Sequence, residues 1–181
     1  MIRFIAIAAL AIGSWAMLQP AGHSADTRSL DRLVTLMADP ALGEATPDQL
    51  QTALDGVIRF DPAPPSMTAP FCAVTLPIQP DQTVADGIAG FASEPAEGAC
   101  PAPRLRHLAL RIATAGGFSP AHIVGLLQSK LGAPDEQEQT GDGTLRVSWI
   151  GDDRALFVEF DPKQPETIAL FLIKRPAMRA L

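Results

Sequence analysis

"TLRVSWIGDDRALFVEFDPKQPETIALFLIK", Thr144–Lys174, is the stretch whose reading decides the fold. Successive side chains of a strand point to opposite faces. In the first run Leu145, Val147 and Trp149 therefore share one face, and Arg146 and Ser148 share the other. "GDDR" turns the chain into a second run, where Leu156, Val158 and Phe160 oppose Phe157 and Glu159. "DPKQP" turns it again into "ETIALFLIK", which is apolar on both faces and so is expected to be well covered. Three alternating runs joined by short turns predict an antiparallel meander. Trp149 is expected to be buried, with a blue-shifted emission.

Working towards the N-terminus, Ser119 is an expected N-cap and Pro120 suits the first helical position. Ile123, Leu126, Leu127 and Leu131 form one stripe, and Gly132 with Pro134 ends the helix before an acidic turn. The preceding "PRLRHLALRIATAGG" also reads as helix. Leu105, Leu108, Ala109 and Ile112 share a helical face, Pro103 starts it, and Gly116 and Gly117 stop it. Arg104, Arg106 and Arg111 would then decorate its surface. No acid lies between Pro101 and Pro134, whereas Asp135–Asp161 holds eight acids against two arginines. Mutual pairing of these basic and acidic surfaces is one reading; a binding role for the basic face is the other.

Two further helices are expected near the start of the domain. Leu30, Leu33, Val34 and Met37 repeat at helical spacing until Pro40. Thr46, Pro47 and Gln49 form a capping-box start for a second helix striped by Leu50, Leu54 and Val57. "TPDQLQTAL" resembles "SPAHIVGLL" in its cap and proline, but helix starts share such features for physical reasons, and no repeat is assigned.

Between these helical regions the texture changes. Residues 61–103 hold nine prolines, and no Lys or Arg occurs between Arg59 and Arg104. Proline fixes φ and removes a backbone donor, which disfavours long helices and central strands. "FCAVTLPI" and "TVADGIAGFA" are read as short edge strands of a Pro-rich insert, with a disordered linker as the alternative. Cys72 and Cys100 are the chain's two cysteines. In an oxidising compartment they are expected to pair and staple this insert, contributing about 3.6 kcal/mol in the chain-entropy model. A free catalytic thiol is the other reading.

The compartment is read from "MIRFIAIAALAIGSWAMLQPAGHSA". A basic head, an apolar run from Phe4 to Leu18 and a small-residue end predict a secretory signal over residues 1–25. An uncleaved anchor is the alternative. Residues 26–181 then form a single α+β domain: a helical start over 26–60, the insert over 61–103, and a helix pair plus three-stranded meander over 104–181. The helices are expected on one face of the meander. The protein is expected to be periplasmic or secreted, without an integral membrane segment after signal removal. The chain carries a net charge of −6, or −7 once Arg3 is removed. That balance argues against nucleic acid, whose phosphates require a basic surface.

The search for chemistry yields no catalytic constellation and no cofactor motif. CxxC, HExxH, GxSxG, phosphate-loop and dinucleotide patterns are absent, so no metal site is assigned. His107 and His122 read as surface residues, and the glycines of "GDGT" read as turn residues. Glu159 is the carboxylate of interest. Enclosure of its face would favour the neutral form and suit general-acid work; pairing across the strands with Arg146 is the alternative.

Gly117, Phe118, Ser119, Ile123, Leu127, Leu131, Gly132, Pro134 and Trp149 complete a pattern that resembles the SmpA/OmlA group of outer-membrane assembly proteins. β-lactamase inhibitor proteins look similar in their helix-and-sheet unit. The resemblance spans residues 117–173 and implies a helix entering a β-meander and a role in protein contacts of the bacterial envelope. The family also carries a lipidated cysteine after its signal; here no cysteine lies near the cleavage point.

Three functions are therefore expected. The first is an exported, non-catalytic protein-binding module, an envelope accessory factor or inhibitor with a protein partner in the cell envelope. It would bind through the sheet face of Arg146, Ser148, Phe157 and Glu159, with the Cys72–Cys100 excursion as a second surface. The second is a small exported hydrolase centred on Glu159, aided by Asp153 or His122. The third is a self-associating structural envelope protein.

Overall fold

A computed structural model describes residues 27–60, 72–80, 83–93, 101–114 and 118–175. The expected signal over 1–25 lies outside the described residues.

The helices form where capping and apolar spacing coincide. α1 (Thr27–Ala38) buries Leu30, Leu33, Val34 and Met37 completely and ends two residues before Pro40, which opens a 3₁₀ turn (Pro40–Glu44). α2 (Pro47–Ala53) starts with the expected capping box: Thr46 Oγ1 accepts from Gln49 N, and Gln49 Oε1 accepts from Thr46 N. α3 (Pro120–Leu131) starts at Ser119, whose hydroxyl accepts from His122 N. Ile123 and Leu127 of α3 are fully buried, and Leu126 and Leu131 are half-buried.

Among the described residues, eight strands form one antiparallel sheet: β1 (Arg59–Phe60), β2 (Ala73–Gln79), β3 (Val84–Ala92), β4 (Arg104–Ala113), β5 (Glu136–Gln139), β6 (Leu145–Ile150), β7 (Arg154–Phe160) and β8 (Thr167–Lys174). Their order is β1-β2-β3-β4-β8-β7-β6-β5. Two four-stranded meanders thus meet at the β4–β8 pair. A helix opened by Thr46-Pro47 precedes the first, and one opened by Ser119-Pro120 precedes the second. The faint likeness of these starts coincides with a repeated helix-plus-four-strand topology.

The three runs from Leu145 to Lys174 have the expected parity. Val147, Trp149, Leu156, Val158, Ile168, Leu170 and Leu172 are buried in one cluster with Leu30, Met37, Leu50 and Ile123 from the helices. Trp149 is 6% exposed, as expected, and its indole Nε1 donates to Gly132 O at 3.0 Å, tying the meander to the end of α3. Other ties reach the same face. The Arg154 guanidinium donates to Ala38 O and Asp39 O, satisfying carbonyls at the end of α1. The Lys174 ammonium binds Gly43 O and Glu44, and it holds the Glu44 carboxyl below the ordinary carboxylate value, mainly by that hydrogen bond.

Three expectations fail for physical reasons. Residues 104–113 are strand β4, not the first member of a helix pair. Its partners Gly90↔His107 and Phe91↔Leu105 show a bulge that accommodates Arg106 as an extra residue. The bulge puts Leu105 and Leu108 on one face three positions apart, imitating a helical repeat. Beyond it the period is two: Leu108, Leu110 and Ile112 are buried, while His107 and Arg111 are exposed.

Second, β3 is an inner strand, paired along its length with β2 and β4, whereas among the described residues β2 is covered on its outer side only at Ile78 and Gln79, so the expected edge character holds for most of β2 and not for β3. Val74, Leu76 and Ile78 alternate inwards along β2. Pro77 is tolerated because it falls just beyond the last β1–β2 pair, Phe60↔Ile78, where the outer side of β2 is unpaired among the described residues. Cys72 is buried and no described cysteine is free, but Cys100 lies outside the described residues, as do 61–71 and 94–99. Third, the acidic turn contains edge strand β5, which is wholly exposed and so leaves no apolar alternation to read.

Two glycines of β3 differ in what they make room for. A Cβ at Gly87 would lie 2.7 Å from Ala109 O and 2.8 Å from Leu110 Cδ2. At Gly90 its three nearest atoms would all belong to the exposed His107 ring, which covers that glycine from the neighbouring strand. Gly87→Ala is therefore expected to cost about 1–3 kcal/mol by overpacking. Gly90→Ala, where a side chain can swing away, is expected to cost clearly less. Paired urea titrations measure the difference, and equal losses would contradict this register.

Candidate functional site

The helices leave the second face of the sheet as the place to look for function. Register arranges this outer face in three rows running across the strands. The middle row passes through directly paired residues Pro77, Ile88, Ala109, Phe171, Phe157 and Ser148. Strands lie about 4.8 Å apart, so the row is about 24 Å long. Phe171 and Phe157 stand opposite one another at its centre and are half-buried, and Ile88 is 38% exposed.

A row of alternating charge flanks it: Asp86, Arg111, Ala169, Glu159, Arg146 and Glu138. Arg111 pairs with Asp86, its Nε donating to Oδ1 at 2.8 Å. Arg146 reaches both neighbours, with Nε to Glu159 Oε1 at 2.6 Å and Nη1 to Glu138 Oε1 at 3.0 Å. Glu159, chiefly by that hydrogen bond, pushes the Arg146 guanidinium above its ordinary value. Exposed pairs of this kind add little stability; here they link neighbouring strands across the outer face. Thr75, Gly90, His107, Ile173, Ala155 and Ile150 make the other flanking row. Ile173 is 44% exposed, so β8 is not covered on both faces as its composition suggests.

All four expected face residues come together in this surface. Arg146↔Glu159 and Ser148↔Phe157 are neighbouring cross-strand pairs. Ser148 is 2% exposed, which leaves Arg146, Phe157 and Glu159 to present side chains. Sequence reasoning missed Ile88, Ala109 and Phe171. Period-two reading of β8 reaches Phe171; Ile88 and Ala109 require the pairing of β3 and β4 with it.

The elements of the hydrolase reading do not converge. Asp153 lies before β7, six residues or about 20 Å along the strand from Glu159. His122 belongs to α3, where its ring stacks on Phe118 with centroids 6.3 Å apart. Among the described residues no three His, Cys, Asp or Glu side chains form a set able to hold a metal, and no helix is long and apolar enough to cross a membrane.

The edges are less suited to strand addition than the face is to contact. β5 presents Glu136 and Glu138, and the open side of β2 carries Pro77; charge and proline both discourage pairing by another strand.

No family model and no curated protein matches the chain. Among solved structures it is similar to a DUF4309 family protein, YjgB, from Bacillus subtilis subsp. subtilis str. 168. Identity is 13% and the TM-score 0.36, over 82% of this chain and 99% of that one.

Proposed function

We propose that the protein is an exported, non-catalytic protein-binding module, an envelope accessory factor or inhibitor that works in the periplasm or outside the cell. One observation carries this reading: an apolar row centred on Phe157 and Phe171 lies between ordered charges and a second row containing Ile173 and Ile150. Aromatic residues and arginine are enriched at protein interfaces. The chain has no Tyr, which counts against a binding role because Tyr is favoured at interface hot spots; Phe157 and Phe171 are the aromatic residues paired on this face.

The signal over 1–25, cleaved after Ala25, and a Cys72–Cys100 bridge belong to the same proposal. So does the kinship of residues 117–173 with the SmpA/OmlA and β-lactamase-inhibitor units. A bridge across 28 positions would suit a domain that works where thiols oxidise.

Pull-down from envelope extract with the protein and with Phe157→Arg tests the reading. Partners are expected to be retained by the unaltered protein and lost from the variant, while both give the same far-UV circular dichroism and the same Trp149 emission maximum. Identical partner sets would remove this face from consideration.

A further inference from the structure

Away from the middle of the outer face, the described residues line a half-open cavity of about 240 Å³ between the ends of α1 and α3 and the β6–β7 turn. Met37, Trp149 and Leu156, all nearly or fully buried, supply its apolar walls, and Leu131 adds a half-buried one. Two charged side chains also line it, and they are committed differently. Arg154 directs both terminal nitrogens to Ala38 O and Asp39 O, so these donors are engaged at the end of α1. Asp135 is exposed at the mouth. Its Oδ2 accepts from Ile150 N at 2.6 Å and its own N–H donates to Ser148 O, which fixes the residue against the edge of β6. Asp135 Oδ1 takes no hydrogen bond from the described residues.

We propose that this cavity binds a small primary ammonium carried on an aromatic or branched apolar body. The body would occupy the space beside Trp149, and the ammonium would donate to Asp135 Oδ1. A backbone-fixed carboxylate is preorganised for a cation, and hydrogen bonds to charged groups are the stronger kind. The volume falls below the usual ~300–1,000 Å³ of ligand pockets, so the occupant is small and its binding weak, with Kd on the order of millimolar. This inference does not depend on the outer face being a docking surface.

Nitrogen–proton correlation spectra of the purified protein, titrated in parallel with phenethylammonium and 3-phenylpropionate, test it. The ammonium is expected to shift the Trp149 indole and the Asp135, Ile150 and Gly151 amides saturably, leaving Ala169 and Phe171 unmoved. The propionate is expected to leave all of them in place. Asp135→Asn keeps an oxygen to accept from Ile150 N, and an unchanged spectrum elsewhere verifies its fold. It is expected to weaken phenethylammonium binding roughly fivefold or more, the difference between a charged and a neutral acceptor. Non-saturating shifts, an equal response to propionate, or undiminished affinity in Asp135→Asn would overturn the proposal.

Discussion

Leu110→Ala is expected to lower the free energy of unfolding by about 2–5 kcal/mol, while its neighbour Ala109→Arg lowers it by less than about 1 kcal/mol. Leu110 is 1% exposed, faces the helices and lies between Gly87 and Leu170. Truncating it leaves a cavity against Gly87, a position with no side chain of its own to fill the gap. Ala109 points to the outer face between Ile88 and Phe171, where an arginine can extend into solvent. A helix over 104–113 would reverse the result, since it places Ala109 in the apolar stripe and Leu110 outside it. Urea denaturation of the two variants, with m checked for constancy, decides between strand and helix. A typical domain has about 5–15 kcal/mol in all, so the effect of Leu110→Ala is easily resolved.

Trp149→Ala is expected to cost about 3–5 kcal/mol. The indole packs on the core side of β6, opposite Leu156, and its N–H reaches the carbonyl of Gly132 just after α3. Loss of the ring opens a large cavity and also releases the end of α3 from the sheet. Trp149→Phe retains much of the volume but not the donor, and is expected to cost about 1–2 kcal/mol, mostly from the hydrogen bond. Thermal or urea unfolding followed by far-UV circular dichroism avoids using the altered fluorophore. Equal costs for the two variants would mean that packing of the indole contributes little.

These residues also show how far the sequence could be read. Strands β6 and β7 of the second meander were legible because their turns are polar and they alternate from Leu145 to Phe160. Helix starts were legible because Thr46, Gln49 and Ser119 have specific hydrogen-bonding roles that leave a local signature. β4 was misread because one bulge residue, Arg106, shifts the phase of an otherwise alternating strand. β2 and β3 were underrated because Pro77, Gly87 and Gly90 are poor strand residues locally. Each is accommodated by context: an unpaired side for Pro77, a tight neighbour for Gly87, a covering ring for Gly90. β5 gave no signal because none of its side chains is buried.

The candidate site was half legible for a related reason. Parity within β6 and β7 assigns Arg146, Ser148, Phe157 and Glu159 to one face, since that depends only on local alternation. It does not reveal that β8 pairs with β4, which is what brings Ile88 and Ala109 into line with the two phenylalanines. Nor does it reveal that Ser148 is enclosed. The Glu159–Arg146 pair was foreseen as one of two alternatives, and the structure shows it.

Photo-crosslinking tests the central claim most directly. A benzophenone side chain is placed in turn at Thr75, Ile88 and Phe171 on the outer face, and at Arg32 and Gln128 on the exposed helix surface. Irradiated in envelope extract, the outer-face positions are expected to join one common partner protein and the helix positions none. Crosslinks confined to the helix positions, or absent from all three outer-face positions, would contradict the account.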